Sequence, residues 1–342
     1  MKKSHLIPIL FSCATYSISF AQINVVPVTD PVQAAASFVF DGVSVTNVVY
    51  TGDENAFGSF SNATGIVPGL ESGLVLSTGS INPEGSAPVG APVSSFANTI
   101  NDAPGHYLLN CLISSDTYDA AVFEFDLVPI GNILEFQYVF ASEEYPEFAG
   151  SSFNDVFGFF ICGPNPNGGN YNNVNIAIIP GTTSPVAINN VNGNVNSSFY
   201  IDNEALNNPD FVFDGSTVLL TAQINVIAGN TYHLVMAIAD VGDMCYDSAI
   251  FLKASSMKSY IFSGEQNPAT IKPMVFYDAV SKTICIQYVD GGPIQLQLFN
   301  LQGAMVLSGM NESLSTEGLK KGVYLAKISF GENVAVEKIL ID

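Results

Sequence analysis

The chain has 342 residues, no Trp, ten basic residues that are all Lys, and 31 Asp and Glu, for a net charge of −21. The charge is uneven: residues 22–252 hold twenty-three acids and no Lys or Arg, whereas residues 253–342 hold eight of each sign. So acidic a region should repel nucleic acid and anionic membrane surfaces, which argues against nucleic acid as a partner, and it should attract divalent cations.

The N-terminus reads as a secretory signal, residues 1–21. Lys2 and Lys3 form its charged part, residues 6–20 its short apolar part, and cleavage is expected between Ala21 and Gln22. The apolar run is shorter than the roughly 20 residues a membrane helix needs. A lipoprotein attached through Cys13 is the weaker alternative, because Phe11 is bulky for that motif. No later stretch is apolar enough to span a bilayer.

Asp30 is placed to cap a short helix whose first residue is Pro31. Asp41 and Gly42 turn the chain into a strand over 43–50, and a further strand covers 74–76. Residues 79–105, rich in Gly, Pro, Ser and Asn, read as a long surface loop. A strand follows at 121–125. In the next, Leu134, Phe136, Tyr138 and Phe140 alternate with Glu135, Gln137 and Val139. Residues 156–161 form another. Between these two lies a polar loop with Glu143, Glu144, Glu147, Asn154 and Asp155. An Asn- and Gly-rich loop over 165–173 leads to strands at 174–179, 218–226, 232–239 and 248–252. Abundant Phe, Tyr, Gly, Pro and Asn, with many short strands and turn signals, predict an all-β protein, an antiparallel jelly-roll-like β-sandwich over residues 22–256.

Residues 257–272 read as a linker and 273–342 as a second module. Within it, 284–288 is a strand, 294–299 and 304–307 make one hairpin, and 323–330 and 335–341 make another.

Two acidic constellations carry the candidate chemistry. The first is the loop with Glu143, Glu144, Glu147 and Asp155. The second is Asp240, Asp243 and Asp247, where Gly242 turns the chain. With no base nearby, seven carboxylates that converge at one edge of the sandwich need a cation, and calcium takes six to eight such oxygens. The alternatives are a solvated acidic rim and catalytic carboxylates. A glycosidase pair needs its carboxyls about 5–9 Å apart on facing walls. Adjacent Glu143 and Glu144 in an extended chain would point to opposite faces. Tyr145, Phe148 and Tyr171 are candidate sugar-stacking rings. His106 and His233 join no nucleophile or zinc motif. In an oxidising compartment disulfides are permitted among Cys111, Cys162, Cys245 and Cys285 in any of three full pairings; Cys162–Cys245 is favoured, each standing next to an acidic motif, with buried free thiols as the alternative.

The run FASEEYPEF…SSFNDVFGFFICGP resembles the choice-of-anchor L domain, found in exported bacterial surface proteins. The similarity extends from GLVLSTGS and TYDAAVFEFDLVP to NIAIIPGTTSPVAINNVN and FDGSTVLLTAQINVIAGNTYHLVMAIADVGDMCYDSAIFLKA, over roughly residues 28–256. It implies fold and location and no particular chemistry. The tail, through LQLFNLQGAMV, LKKGVYLAKIS and VEKILID, resembles the type A sorting domain of the Bacteroidetes type IX secretion system. Gly322, Tyr324 and Lys338 carry that likeness. It implies a small immunoglobulin-like β-sandwich, export across the outer membrane by the type IX machinery, and removal of the tail by its sorting protease.

The expectation is a secreted or surface-attached, non-enzymatic binding or adhesion protein, stabilised by calcium, with a glycan or another surface as ligand. Its competitors are a carbohydrate-active hydrolase using Glu143, Glu144 or Asp155, and a structural matrix protein.

Overall fold

The computed structural model describes residues 23–63, 67–81, 99–113, 115–205, 212–262, 274–278, 282–287, 294–310, 313–330 and 333–341. The signal-peptide junction Ala21/Gln22, residues 82–98 and most of the linker lie outside them.

The chain opens with β1 (Asn24–Pro27), α1 (Pro31–Phe38), β2 (Val39–Asp41), β3 (Val43–Thr51), β4 (Phe57–Ser61) and β5 (Gly73–Ser77). Asp30 caps α1 as its position predicts, its Oδ1 accepting from the amides of Val32 and Gln33. Helix α2 (Tyr107–Ile113) precedes the long strands β6 (Thr117–Pro129), β7 (Ile133–Ser142) and β8 (Val156–Pro164). Then come β9 (Asn170–Asn175), β10 (Tyr200–Asp202), β11 (Gly215–Thr217), β12 (Leu220–Asn225), β13 (Tyr232–Val241), β14 (Ser248–Lys253) and β15 (Met257–Tyr260).

These strands build two sheets. One runs β1-β4-β5-β14-β7-β11-β10, with β12 and β15 also on β7 and β2 parallel to β15. The other runs β3-β6-β13-β8-β9. The period of two sorts the side chains into layers. β7 sends Leu134, Phe136, Tyr138 and Phe140 between the sheets, where Phe157, Phe159 and Ile161 of β8 and Leu234, Met236 and Ile238 of β13 meet them. Val139 and Ala141 face the other way, onto Phe213 and Phe251. On the far face of the second sheet, Phe160, Val235 and Ala237 pack under Leu108, Leu109 and Leu112 of α2.

Three bulges interrupt the second sheet, each at a left-handed Asn or Asp, the side chains that tolerate positive φ best. On the edge strand β3, Asn47 and Val48 oppose one residue of β6, with Asn47 at φ 53°. On the opposite edge, Asn172 and Asn173 of β9 oppose Cys162, with Asn173 at φ 53°. Inside the sheet, Asp119 (φ 50°) and Ala120 of β6 oppose Ala239.

Several expectations change. Residues 170–173, read as loop, are strand, while 176–179 lie beyond its end. Their asparagines depress strand propensity, and the ladder to β8 overrides it. The stretch 79–105 is followed directly by α2, too short for a periodic signal. Strand β15 pairs Lys258 with Glu135, so the sheet continues to Tyr260, inside the segment read as linker. The Cys162–Cys245 disulfide does not form, and both residues keep their thiols. Cys162 stands opposite His233 at the start of β13 and Cys245 follows its end, so about 25 Å of strand separates them, far beyond bridging distance. The Cys162 thiol donates to Asn173 Oδ1 at 3.1 Å. Cys111 is disulfide-bonded; the side chain of Cys285 lies outside the described set.

The tail comprises β16 (Met274–Asp278), β17 (Thr283–Gln287), β18 (Ile294–Phe299), β19 (Met305–Gly309), β20 (Ser313–Ser315), β21 (Gly322–Phe330) and β22 (Asn333–Ile341). Sheets β16-β17-β20 and β19-β18-β21-β22 enclose Ile284, Leu296, Leu298, Ala326 and Ile328, a small two-sheet sandwich with both expected hairpins. Gly322 opens β21, Tyr324 is buried with its hydroxyl on the Lys320 carbonyl at 2.7 Å, and Lys338 is exposed on β22.

Candidate functional site

The acids gather at one end of the larger sandwich. Along β8 the inward row Ile161, Phe159, Phe157 continues to Asp155, one residue before the strand. Along β13 the inward row Leu234, Met236, Ile238 continues to Asp240. Val156 pairs with Ala239, so the two aspartates are cross-strand neighbours occupying positions where the pattern calls for hydrophobes. Facing them from the first sheet are Ser142 of β7 and Ser248 of β14, both fully buried. The last layer of the core is thus hydroxyls against carboxyls.

Asp155 is the better satisfied of the pair. Its Oδ1 accepts from the Val241 amide at 3.0 Å and its Oδ2 from Ser248 Oγ at 2.6 Å. Asp240 is fully buried; its oxygens approach Thr78 and Asp155 but have no donor in hydrogen-bonding geometry. Glu144 follows the end of β7, held by its amide on Ser142 Oγ at 2.9 Å. One of its oxygens faces the Asp155 amide and Oε2 is buried without a partner. Glu143 turns the other way, toward the Asp214 carboxyl. Asp247 accepts from the amide and hydroxyl of Thr99. Gly79 leaves the room for it, because a Cβ there would stand 1.7 Å from Asp247 Oδ2.

Burial is the first cause of every shift here, since an apolar surrounding penalises the charged form. It pushes Glu143 and Glu144 up to about 9, neighbouring acids adding to it. Asp155 rises to about 8 in spite of its two donors, and Asp247 to about 7. Asp240 is raised well above the ordinary carboxylate range. Among the described residues no Lys pairs with these acids. The nearest along the chain, Lys253, lies at the far end of β14, about 17 Å of strand from Ser248, and pairs with Glu71 at 3.7 Å.

Of the seven acids named from the sequence, Glu144, Asp155 and Asp240 come together in the interior, with Glu143 and Asp247 buried beside them. Glu147 is exposed, and Asp243 is half-buried in the turn, its Oδ1 accepting the Cys245 amide at 3.1 Å. Sequence reading missed Asp214, Thr99, Ser142 and Ser248. Their only signal was their place at strand ends or in a loop that folds back, which needs the register to interpret. Among the described residues, no group of three His, Cys, Asp or Glu already stands in an arrangement that could hold a metal ion.

The loop between β7 and β8 is pinned from outside by the segment 185–196. Tyr145, preceding a cis proline, donates to the Val191 carbonyl at 2.6 Å. Asn189 binds Gly150 and donates to the Ser151 carbonyl, and its amide reaches Asn154 Oδ1. Tyr145 is buried there, and Tyr171 is buried on β9 with its hydroxyl on the Asn225 carbonyl, so neither is available to sugar. The accessible rings are others. Phe148 meets Phe153 edge-on at 5.4 Å and Tyr246 at 5.5 Å, and Tyr246 is 45% exposed. Glu147 and Asp243 flank this aromatic trio in sequence. His233, far from it along β13, binds Asp126 at 2.8 Å on the sheet surface.

The family model described as Choice-of-anchor L domain matches residues 26–258, and that described as Secretion system C-terminal sorting domain matches 279–342. No curated protein matches the chain. Among solved structures, a β-glucuronidase from Ruminococcus gnavus is 11% identical at TM-score 0.17, over 74% of this chain and 38% of its own. The adhesin domain of Epf from Streptococcus pyogenes is 12% identical at TM-score 0.17, over 65% of this chain and 77% of its own. This chain spans well under half of the glucuronidase, and at such scores neither likeness carries an argument. Among the described residues no helix is long and apolar enough to cross a membrane.

Proposed function

Because the chain belongs to the choice-of-anchor L domain family and ends in a secretion-system sorting domain, we propose that its larger sandwich is a non-catalytic, calcium-stabilised binding module for a surface glycan. Export by the type IX route to the cell surface or the medium follows from the sorting domain. The observation that supports binding over hydrolysis is burial. Glu143, Glu144 and Asp155 are 2%, 1% and 0% exposed, so a sugar ring cannot reach the carboxyls that a glycosidase mechanism would use. What this end does present to solvent is Phe148, Phe153 and Tyr246, rings suited to stacking on a pyranose face, with Glu147 and Asp243 beside them for hydroxyls.

A glycan array probed with the purified full chain tests the reading. Signal is expected on a subset of glycans with no release of sugar, and Tyr246→Ala should weaken it about tenfold, equivalent to about 1.4 kcal/mol. Polysaccharide turnover that disappears in Glu144→Gln would instead establish the hydrolase.

Processing gives a second test. The surface species is expected to begin at Gln22 and to end within residues 261–272, beyond the last strand of the larger sandwich. Mass spectrometry of the native protein reads both ends. Recovery outside the cell of a chain intact through Asp342 would show that the tail is retained.

A further inference from the structure

We propose that Asp155, Asp240 and Glu144 form an interior site for one divalent cation of calcium's chemistry, closing the core between the ends of the two sheets. This deepens the binding-module reading by naming what organises its exposed end. The site stands on three observations. First, Asp155 and Asp240 fill inward-facing positions on adjacent strands, where a folded chain places a charge only with a counter-charge. Second, both oxygens of Asp240 and Oε2 of Glu144 are buried without a hydrogen bond of good geometry, Asp240 meeting only the Thr78 hydroxyl and the Asp155 carboxyl. Third, the surrounding groups are hard oxygen ligands: Ser248 Oγ lies on Asp155 at 2.6 Å, and Thr78 beside it receives the Ser248 amide on its Oγ1 at 2.9 Å.

That chemistry selects the ion. A zinc site would want His or Cys nitrogen and sulfur. Magnesium demands a near-ideal octahedron and keeps most of its water. Calcium accepts an irregular set of six to eight oxygens, so carboxyls from three segments, hydroxyls and water suffice without three acids already at ligand spacing. The bulge at Asp119 fits this role. It shifts the register immediately before Asp240 and leaves Asp119 binding the amides of Asn101 and Ala103. The cation would tie β13 to the loop that carries Phe148 and Phe153, so the exposed rings depend on it for their placement.

Terbium is the probe. The chain has no Trp, so emission excited through tyrosine reports on tyrosines near the ion, and Tyr145 adjoins Glu144. On the full chain, tyrosine-sensitised terbium emission should saturate and be displaced by millimolar calcium. Asp240→Asn and Asp155→Asn should each weaken terbium at least tenfold, and Glu147→Gln should leave it unchanged. Absence of emission, or emission indifferent to both aspartate variants, overturns the site. Should those variants not fold, the wild-type chain decides: it should melt about 5 °C or more higher in millimolar calcium than in chelator at matched ionic strength. Equal melting overturns the proposal and leaves the acids sharing protons. A chain that binds terbium yet recognises no glycan keeps this site and overturns only the binding-module reading.

Discussion

In chelator, the larger sandwich should lose several kcal/mol of stability as the pH is raised from about 5 to about 9. The sign follows from the buried acids. Unfolded, Asp and Glu release their protons near pH 4. Folded, Glu143 and Glu144 hold theirs to about 9, Asp155 to about 8 and Asp247 to about 7, because burial penalises the charge. Between those values the folded state binds more protons than the unfolded one, so stability falls as the pH rises. The contribution is fully present below about pH 4 and is lost as the pH climbs through 7 to 9. One such group changes stability by about 1.4 kcal/mol per pH unit; these groups interact, so their contributions do not simply add. His106 works in the opposite sense. Burial lowers it to about 4, and its share fades as the pH falls below its ordinary value. Four rising carboxyls outweigh one histidine. Thermal melting at the two pH values in chelator measures the effect, and calcium should flatten the slope by compensating the carboxylates. Equal melting temperatures at both ends of the range in chelator would mean that the acids are solvated.

Phe157→Ala should cost about 3–5 kcal/mol, enough to threaten the fold of a domain of ordinary stability. Phe157 is fully buried on a central strand and lies over Phe140 at 5.1 Å, Tyr138 at 5.5 Å and Phe159 at 5.3 Å, so it joins the two sheets. It is also the last inward-facing apolar residue of β8 before Asp155, and the cavity would open directly beneath the carboxyls. Urea unfolding of the full chain reads the loss. Phe148→Ala, at the half-exposed tip, is the contrast and should cost no more than about 1 kcal/mol. Similar costs for both would mean that the inward rows are assigned to the wrong face.

Where the chain repeats with period two over a long run, the sequence disclosed the structure. Leu134, Phe136, Tyr138 and Phe140 face the core as their alternation predicts, and Asp30 caps the helix where Pro31 starts it. Where a strand is short or polar the signal fails. Residues 170–175 hold four asparagines, and only the neighbouring ladder makes them a strand. Helix α2 is under two turns long. The functional end was legible as composition rather than as geometry. Asp240 reads as a turn residue beside Gly242, yet it is the next inward position after Ile238, which emerges only once the pairing of Ala239 with Val156 shows that the strand runs on. Glu143 and Glu144 do diverge, one toward Asp214 and one toward Asp155, but they do so from a turn, so their alternation is not that of a strand. Asp214 and Thr99 reach the site from loops distant in sequence, and no local pattern marks them.

The bulged rims of the second sheet bear on how many copies of this protein can be crowded together. An open rim of unpaired amides and carbonyls recruits the rim of another molecule, and many proteins guard against this with a lysine there. This sandwich has no lysine before Lys253 and so lacks that guard. Asn47 and Asn173 take its place, each kinking the outermost strand out of a continuous ladder on its own side. With both rims of this sheet broken and the domain strongly anionic, neither of its outer strands offers another molecule a continuous ladder to extend.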